Sequence, residues 1–220
     1  MPLQKKWKSN CRLCRKEFEY EYKDHEPFFC STECHIKHSE KIYYERIGKI
    51  IPLKFQSIIC DNKDLVDSLK NEESLFITGK IGVGKTVLMA TLIKEILKQK
   101  FNDVQWISYL DFIMRLQSAF RDETQNPYQI AKETAAYEGV LAIDDLGAEK
   151  LTDFVRQITY YILNEREQRV LPTMITSNFS LQEIDEQIDP RVSSRIAGIY
   201  KIIQLEGKDK RLKNANQKGD

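Results

Sequence analysis

The chain is 220 residues long, which suits one ordinary domain with a small additional module, and its 41% hydrophobic residues are enough to fill a core. A formal net charge of +1, from 34 basic and 33 acidic residues, excludes a uniformly basic nucleic-acid coat protein and an acidic tail protein. The chain has no apolar run of the roughly 18 residues that a membrane helix needs and no apolar signal-peptide segment, so we expect a cytoplasmic protein with no membrane partner.

The first segment carries four of the five cysteines. Two residues separate Cys11 from Cys14, and three separate Cys30 from Cys34. In a reducing compartment this spacing predicts a four-thiolate zinc site rather than disulfides. Zinc would hold together a segment that is too short to fold on a hydrophobic core alone.

Two alternatives to four-cysteine zinc stay open, namely a site in which one histidine replaces a cysteine and a set of thiols that are merely buried. The candidate histidines are His25, His38 and, beside Cys34, His35. Ser31 is predicted to be the N-cap of a helix that carries Cys34. Cys60 lies apart in the sequence and is predicted to be a buried or linker thiol.

The rest of the chain alternates strand and helix patterns, which predicts an α/β fold with a five-stranded parallel sheet covered on both faces. The expected strands are 74–78, 104–109, 140–143, 173–176 and 201–205, and the expected helices are 86–99, 110–120 and 152–168. We therefore divide the chain into a zinc-binding module at 1–46, a linker at 47–60, the α/β domain at 61–207 and a polar, locally basic tail at 208–220.

A phosphate-binding loop follows the first strand of this domain. The sequence from Gly79 to Thr86 fits G-x4-G-K-[ST], between a strand and a helix as the motif requires. Its backbone N–H groups and the helix N-terminus favour phosphate, the lysine reaches the β- and γ-phosphates, and the threonine hydroxyl binds Mg²⁺. The predicted ATP-binding residues are Gly79, Lys80, Ile81, Gly82, Val83, Gly84, Lys85, Thr86 and Val87.

Polar residues follow two other predicted strands. The apolar strand 140–143 ends on Asp144 and Asp145, and the carboxyl ends of parallel strands lie at one edge of a sheet, beside the phosphate loop. We assign Asp144 to Mg²⁺, with Thr86, and Asp145 to the attacking water. Asn178 ends the strand 173–176 and is predicted to contact that water or the γ-phosphate.

Taken together, these motifs resemble those of AAA+ ATPases of the initiator group, in particular the replicative helicase loaders of the DnaC/DnaI type and their IstB-like transposition relatives. The resemblance covers residues 51–211. Its elements are Ile51-Pro-Leu-Lys-Phe55, the phosphate loop, Ile143-Asp-Asp-Leu-Gly147, Asn164-Glu-Arg166, Pro172-Thr-Met-Ile-Thr-Ser-Asn178, Arg191-Val-Ser-Ser-Arg195 and Leu205-Glu-Gly-Lys-Asp-Lys-Arg211.

The resemblance implies a lid-less AAA+ domain and roles for further residues. Asn178 matches the sensor-1 residue of the family. Arg195 matches the arginine finger, which projects into the nucleotide site of a neighbouring subunit and so implies self-association, and Arg191 matches the arginine that accompanies it. Asp145 stands where a glutamate is usual, which predicts slow hydrolysis.

The function that the resemblance implies is loading of a replicative DNA helicase during DNA replication, with ATP hydrolysis switching contact to the helicase and to single-stranded DNA. The N-terminal module is then expected to bind the partner. Three alternatives stay open: a transposition helper ATPase, a nucleotide-gated binding module with negligible turnover, and a zinc-dependent DNA-binding regulator, against which the near-zero net charge weighs.

Overall fold

The structure is a computed structural model that describes residues 7–20, 28–58, 73–99, 103–122, 124–147 and 152–209. His25, Cys60 and the predicted tail beyond residue 209 lie outside the described residues. The chain divides into two compact units, residues 1–49 and 50–220, and each is described here by itself.

The N-terminal unit contains a short hairpin and one long helix. Strands β1 (Trp7–Asn10) and β2 (Glu17–Tyr20) pair antiparallel, and helix α1 spans Thr32–Ile50. The Ser31 hydroxyl accepts a hydrogen bond from the Cys34 N–H at 3.2 Å, which confirms the predicted N-cap. Because α1 continues to Ile50, the first residues of the predicted 47–60 linker are helical. The hairpin was not predicted, because its two strands are too short to show a clear alternation in the sequence.

The second unit is built on a five-stranded parallel sheet of order β4-β5-β6-β3-β7, as predicted. Its strands are β3 (Ser74–Gly79), β4 (Val104–Ser108), β5 (Val140–Leu146), β6 (Thr173–Ser177) and β7 (Tyr200–Leu205). Its helices are α2 (Lys85–Gln99), α3 (Tyr109–Ala119), α4 (Pro127–Ala135), α5 (Asp153–Gln168), the single turn α6 (Leu181–Glu183) and α7 (Pro190–Ile199). A 3₁₀ turn (Leu53–Phe55) precedes the sheet, and a π-helical turn (Ile184–Ile188) follows α6.

The central strands are apolar because both faces of the sheet are covered. Strands β3 and β6 are buried almost throughout, and Phe76, Leu141 and Ile175 belong to a core that also takes residues from α3, α4, α5 and α7. Polar side chains start the helices: Ser108, Asn126, Thr152, Ser180 and Asp189 each accept a hydrogen bond from a backbone N–H of the first helical turn.

Two details of the sheet correct the predicted boundaries. Strand β5 does not stop at Ile143 but runs through Asp144 and Asp145 to Leu146. Tyr109, predicted to end a strand, is the first residue of α3, because Ser108 caps that helix. Helix α4 and the helical turns at 181–188 were not predicted, because they have too few apolar residues to show a long periodicity.

Arg166 joins the C-terminal end of α5 to the neighbouring chain segments and is fully buried. Its Nε donates to the Thr173 hydroxyl at 2.7 Å, and its two Nη atoms donate to the carbonyls of Ala135, Tyr137, Gly139 and Pro172 at 2.7–3.2 Å. Burial lowers the pKa of this guanidinium to about 10. All three guanidinium nitrogens have hydrogen-bond partners, so Arg166 fixes the chain segments that precede β5 and β6.

The carboxyl ends of β3, β5 and β6 lie side by side. Thr78 of β3 is paired with Ser177 of β6, and Ser177 is paired with Leu146 of β5. Residues that follow these strands therefore meet at one edge of the sheet.

Among the described helices, none is long and apolar enough to cross a membrane.

Candidate active site and cysteine cluster

The predicted phosphate loop lies between β3 and α2, and two of its glycines combine a positive φ with a close neighbour. Gly79 has a φ of +150°, and a Cβ there would lie 2.3 Å from the Leu205 carbonyl oxygen of β7. Gly82 has a φ of +77°, and a Cβ there would lie 1.9 Å from Oδ1 of Asp209. The segment after β7 therefore packs directly on the loop, next to a cavity of about 500 Å³ whose lining includes Lys80, Asn178, Gln204 and Gly207.

Lys85 is buried and turned back onto the loop. Its Nζ donates to the carbonyls of Gly79 at 2.7 Å and Lys80 at 3.0 Å, and to Oδ1 of Asn178 at 2.7 Å. A buried ammonium group in a ring of oxygen acceptors is held ready for an anion, because phosphate oxygens can replace these acceptors.

Asp144 lies beside the first turn of α2. Its Oδ1 accepts hydrogen bonds from the Thr86 hydroxyl at 3.0 Å and from the Thr176 hydroxyl at 2.7 Å. Burial raises the pKa of Asp144, and the two hydroxyl donors only partly oppose this effect. A hydroxyl and a carboxylate are the hard oxygen ligands that Mg²⁺ prefers, so this pair fits the predicted magnesium site.

Asp145 adopts a φ of +63°, in the left-handed region that residues other than glycine rarely occupy. Its backbone N–H donates to the Thr176 hydroxyl at 2.8 Å, and its Oδ1 accepts a hydrogen bond from Nδ2 of Asn178 at 2.8 Å. Asn178 thus bridges Lys85 and Asp145. The structure brings together all the predicted nucleotide-site residues of β5, β6 and the phosphate loop.

The Arg195 side chain packs against helix α5 of its own chain and is 23% exposed. Its Nη2 donates to the Tyr160 hydroxyl at 2.9 Å and to Oδ1 of Asn164 at 2.5 Å, and its Nη1 pairs with the Glu167 carboxylate. The hydrogen bond with Tyr160, together with Glu167, raises the pKa of Arg195. The arginine that the resemblance assigns to a neighbouring subunit is therefore held by three residues of its own chain.

Arg191 lies on the same face of α7 and also contacts Tyr160. Its guanidinium stacks over the Tyr160 ring at 4.3 Å, compared with 4.9 Å for Arg195. Its Nε and Nη2 form a two-point pair with the Asp189 carboxylate at 3.0 and 2.7 Å. The more exposed of the two arginines is thus bound to the N-cap of its own helix.

The four N-terminal cysteines form one cluster, in which all Sγ atoms lie within 4.8 Å of one another. Cys11 and Cys14 lie in the turn after β1, which is closed by a hydrogen bond from the Arg15 N–H to the Cys11 carbonyl at 2.9 Å. Cys30 precedes the cap residue Ser31, Cys34 lies in the first turn of α1, and their Sγ atoms are 3.6 Å apart. Four thiols at this spacing fit a tetrahedral metal ion.

The pKa values of the thiols diverge within the cluster. Hydrogen bonds to the Cys14 and Cys34 thiols raise the pKa of Cys30 to about 12. Burial acts to raise the pKa of Cys11, but the backbone donors of Cys14, Cys30 and Leu13 outweigh it and lower the pKa to about 6. Where the chain is described, no histidine joins the cluster, because His35 and His38 pack on the ring of Phe29 at 5.3 and 4.8 Å.

Two groups of residues at these sites were not predicted from the sequence. Thr176 received no role, although strand alternation places it on the same side of β6 as Asn178. The residues that hold Arg195, which are Tyr160, Asn164 and Glu167, recur at helical spacing on α5, and that periodicity could have indicated a common face. Nothing in the sequence indicates that Asp209 lies against Gly82.

The parallel sheet, the phosphate loop and the acidic strand end define a P-loop nucleotide-binding protein of the AAA+ class. A family model described as IstB-like ATP binding protein matches residues 58–218. The chain therefore belongs to the family of IstB-like ATP-binding proteins, which confirms the predicted resemblance.

Similar proteins include two curated helicase loaders and a solved structure. The replicative helicase loader DnaI of Bacillus subtilis (strain 168) is 30% identical over 154 residues, covering 63% of this chain and 48% of the relative. The replicative helicase loader DnaC of Escherichia coli (strain K12) is 25% identical over 126 residues, or 57% of this chain and 51% of the relative. A crystal structure of the DnaC helicase loader superposes with a TM-score of 0.56 at 23% identity, covering 76% of this chain and 99% of that one. The chain spans about half the length of the curated relatives it matches.

Proposed function

We propose that this protein is an ATP-hydrolysing helicase loader of DNA replication, in which ATP switches contact with a replicative DNA helicase and single-stranded DNA. The curated relatives named as replicative helicase loaders support the class of partner. The observation that carries the ATPase proposal is the bridge that Asn178 makes between Lys85 and Asp145, because it joins a phosphate-binding cation to a carboxylate that can act on water.

In the proposed reaction, the backbone N–H groups of residues 79–87 and the Lys85 ammonium bind the phosphates of ATP. Asp145 accepts a proton from water as the water oxygen bonds to the γ-phosphorus, and the bond to the β–γ bridging oxygen breaks. Asn178 orients the Asp145 carboxylate through its Nδ2 donor. The products are ADP and inorganic phosphate.

Thr86 and Asp144 are the residues that would hold Mg²⁺, since both present oxygen ligands and already lie within hydrogen-bonding distance of each other. When bound, Mg²⁺ neutralises negative charge on the phosphates. Burial of Asp144 favours this role, because a buried carboxylate with a raised pKa is stabilised by a nearby cation.

Arg195 is proposed to act as an arginine finger in the nucleotide site of a neighbouring subunit. Within its own chain the guanidinium already has an anionic partner, Glu167, and two neutral acceptors. Binding the γ-phosphate of a neighbour would therefore replace Glu167 by another anion as the partner of Arg195. It would not require removing water from an unpaired guanidinium. Self-association through this face would complete the catalytic site.

The N-terminal unit is proposed to bind zinc through Cys11, Cys14, Cys30 and Cys34 and to contact the helicase. Bound zinc would supply the crosslink that a unit of this size needs in place of a large core. Exposed apolar side chains support a contact surface, since Phe28, Ile36, Ile42 and Tyr44 are each 40–67% exposed.

The test combines nucleotide turnover with partner capture. Lys85→Ala should abolish ATP turnover, and the matched variant Lys98→Ala, on the exposed end of α2, should keep it. A chain that starts at Ile50 should hydrolyse ATP yet fail to retain a replicative helicase that the full chain retains. Equal turnover in both lysine variants would reject the ATPase proposal, and equal retention by the shortened chain would reject the N-terminal contact.

A second candidate is an IstB-like transposition helper ATPase, which the description of the matching family model favours. The proposed catalytic residues are the same, and only the partner differs. Parallel capture experiments with a replicative helicase and with a transposase, each with and without ATP, separate the two. Capture of both without measurable single-turnover hydrolysis would instead favour a nucleotide-gated binding module.

A further inference from the structure

Thr176 is a buried residue of β6 that contacts both acidic residues of the site. Its side chain is 1% exposed. Its hydroxyl donates to Oδ1 of Asp144 at 2.7 Å and accepts a hydrogen bond from the backbone N–H of Asp145 at 2.8 Å. One hydroxyl has a single proton to donate, so these two bonds fix its orientation.

The two bonds fall where the sheet itself is irregular. The pairing of β5 with β6 shifts register between Ile143 and Leu146, so Asp144 and Asp145 lie in a bulge. Asp145 there adopts its φ of +63°, a conformation that is unfavourable for residues other than glycine and that surrounding contacts stabilise. The Thr176 hydroxyl supplies such a contact, because it accepts a hydrogen bond from the Asp145 N–H, which lies in the bulge and outside the regular strand pairing.

The same hydroxyl acts on the carboxylate of Asp144. Both of the hydrogen bonds that Asp144 accepts, from Thr86 and Thr176, fall on Oδ1. In the described part of the chain no donor hydrogen-bonds Oδ2, and the charge of Lys54 acts on the same carboxylate. Groups that donate a hydrogen bond to a metal-binding carboxylate orient it and tune its affinity for the metal ion.

We infer that Thr176 is a positioning residue, which turns the Asp144 carboxylate toward the cation and holds Asp145 where its side chain reaches Asn178. This inference rests on the proposed ATPase function. In the proposed site Lys85 binds the phosphates and Thr86 binds the cation, whereas Thr176 contacts neither and acts through the two aspartates.

The experiment uses Thr176→Val, which keeps the shape but removes the hydroxyl, and Thr176→Ser, which keeps the hydroxyl. Thr159→Val is the matched control, because Thr159 is also buried and hydrogen-bonded but lies on α5. Binding of a fluorescent ATP analogue is measured in EDTA and across a Mg²⁺ titration, and kcat and KM are measured at saturating Mg²⁺. Melting temperatures identify any variant that fails to fold, in which case Thr176→Ala takes the place of the valine variant.

Thr176→Val should raise the Mg²⁺ concentration at half-maximal binding about tenfold or more and lower kcat by a similar factor, with affinity in EDTA unchanged. Thr176→Ser and Thr159→Val should stay within about twofold of the wild type. Wild-type Mg²⁺ dependence and kcat in Thr176→Val, beside an inactive Lys85→Ala, would overturn the inference and leave the ATPase intact. Loss in the folded serine variant would also overturn it. A wild-type protein that neither binds nor hydrolyses ATP would reject the proposed function itself.

Discussion

Lys85 and Asn178 are separated by 93 positions in the sequence, yet Nζ and Oδ1 lie 2.7 Å apart. The other end of the same amide donates from Nδ2 to Asp145 at 2.8 Å. The amide oxygen therefore faces a cation and the amide nitrogen an anion, which is the only favourable orientation between these two groups. A phosphate that draws Lys85 away removes one of the two partners of Asn178, so nucleotide binding and the position of Asp145 are linked through one side chain.

Asp145→Asn should retain ATP but not cleave it. The amide oxygen of the new side chain can still accept the hydrogen bond from Asn178, so the local structure should persist, but an amide cannot take a proton from water. We expect turnover to fall by about 10²–10⁴-fold with nucleotide affinity within a few-fold of the wild type. Single-turnover hydrolysis and binding of a fluorescent analogue measure the two effects, and Glu133→Gln on α4 serves as the exposed control.

Arg195→Ala should still bind ATP but hydrolyse it about 10³–10⁵ times more slowly. Mixing this variant with Lys85→Ala should restore part of the activity, because one kind of interface then pairs an intact nucleotide pocket with an intact arginine. Arg169→Ala, at the C-terminal cap of α5, is the control and should hydrolyse ATP normally. Absence of recovery in a mixture that demonstrably co-assembles would mean that Arg195 only ties α7 to α5.

The position of Arg166 predicts a large loss of stability without a direct effect on chemistry. Arg166→Ala removes the donors for four carbonyl groups and one hydroxyl at a fully buried position. We expect a loss of about 3–5 kcal/mol in the free energy of unfolding, measured by urea denaturation. Arg169→Ala, which loses only a long contact with the Ala136 carbonyl, should change it by less than about 1 kcal/mol.

The buried carboxylate of Asp144 makes the stability of the metal-free protein depend on pH. Burial raises the pKa of Asp144 in the folded state, so over the window above the ordinary pKa of an aspartate the folded state binds more protons than the unfolded state. Stability therefore falls as the pH rises through that window. In EDTA, Asp144→Asn should melt at a higher temperature than the wild type at neutral pH, and the difference should vanish in acid.

Asp122→Asn gives a comparison of opposite sign for this experiment. Hydrogen bonds from Thr124 lower the pKa of Asp122, so its ionisation favours the folded state and that contribution is lost as the pH falls. This variant should melt at or below the wild-type temperature at neutral pH. A wild-type protein that melts higher than Asp144→Asn at neutral pH in EDTA would contradict the assigned direction.

The cysteine cluster predicts one zinc ion per chain. Purified protein should contain about one equivalent of zinc by elemental analysis, and Cys11→Ser with Cys14→Ser should lose it. Chelation should unfold the N-terminal unit selectively, because a unit of this size lacks a hydrophobic core that could replace the crosslink supplied by the metal. A shortened chain from Ile50 should hydrolyse ATP equally well with and without a zinc-selective chelator.

The elements that the sequence predicted well are those with a strong local signal. The phosphate loop has a fixed spacing, and Val140 to Ile143 form a run that only a covered strand explains. The two aspartates were predicted at the end of this strand, but the bulge that contains them could not be, because it depends on the register of β5 against β6 and on the hydrogen bond from the Asp145 N–H to Thr176. The spacing of Tyr160, Asn164 and Glu167 on α5 indicates a common helix face, but the sequence does not show that Arg195 of another helix packs against that face.

Strand β7 pairs with β3 from Ser74 to Gly79, and it begins at the residue that follows α7. Gly79, the first residue of the phosphate loop, and Leu205, the last of β7, touch at the far end of that pairing. If Arg195 acts on a neighbouring subunit, strand β7 alone connects the phosphate loop of one subunit to the helix whose arginine that subunit presents to its neighbour.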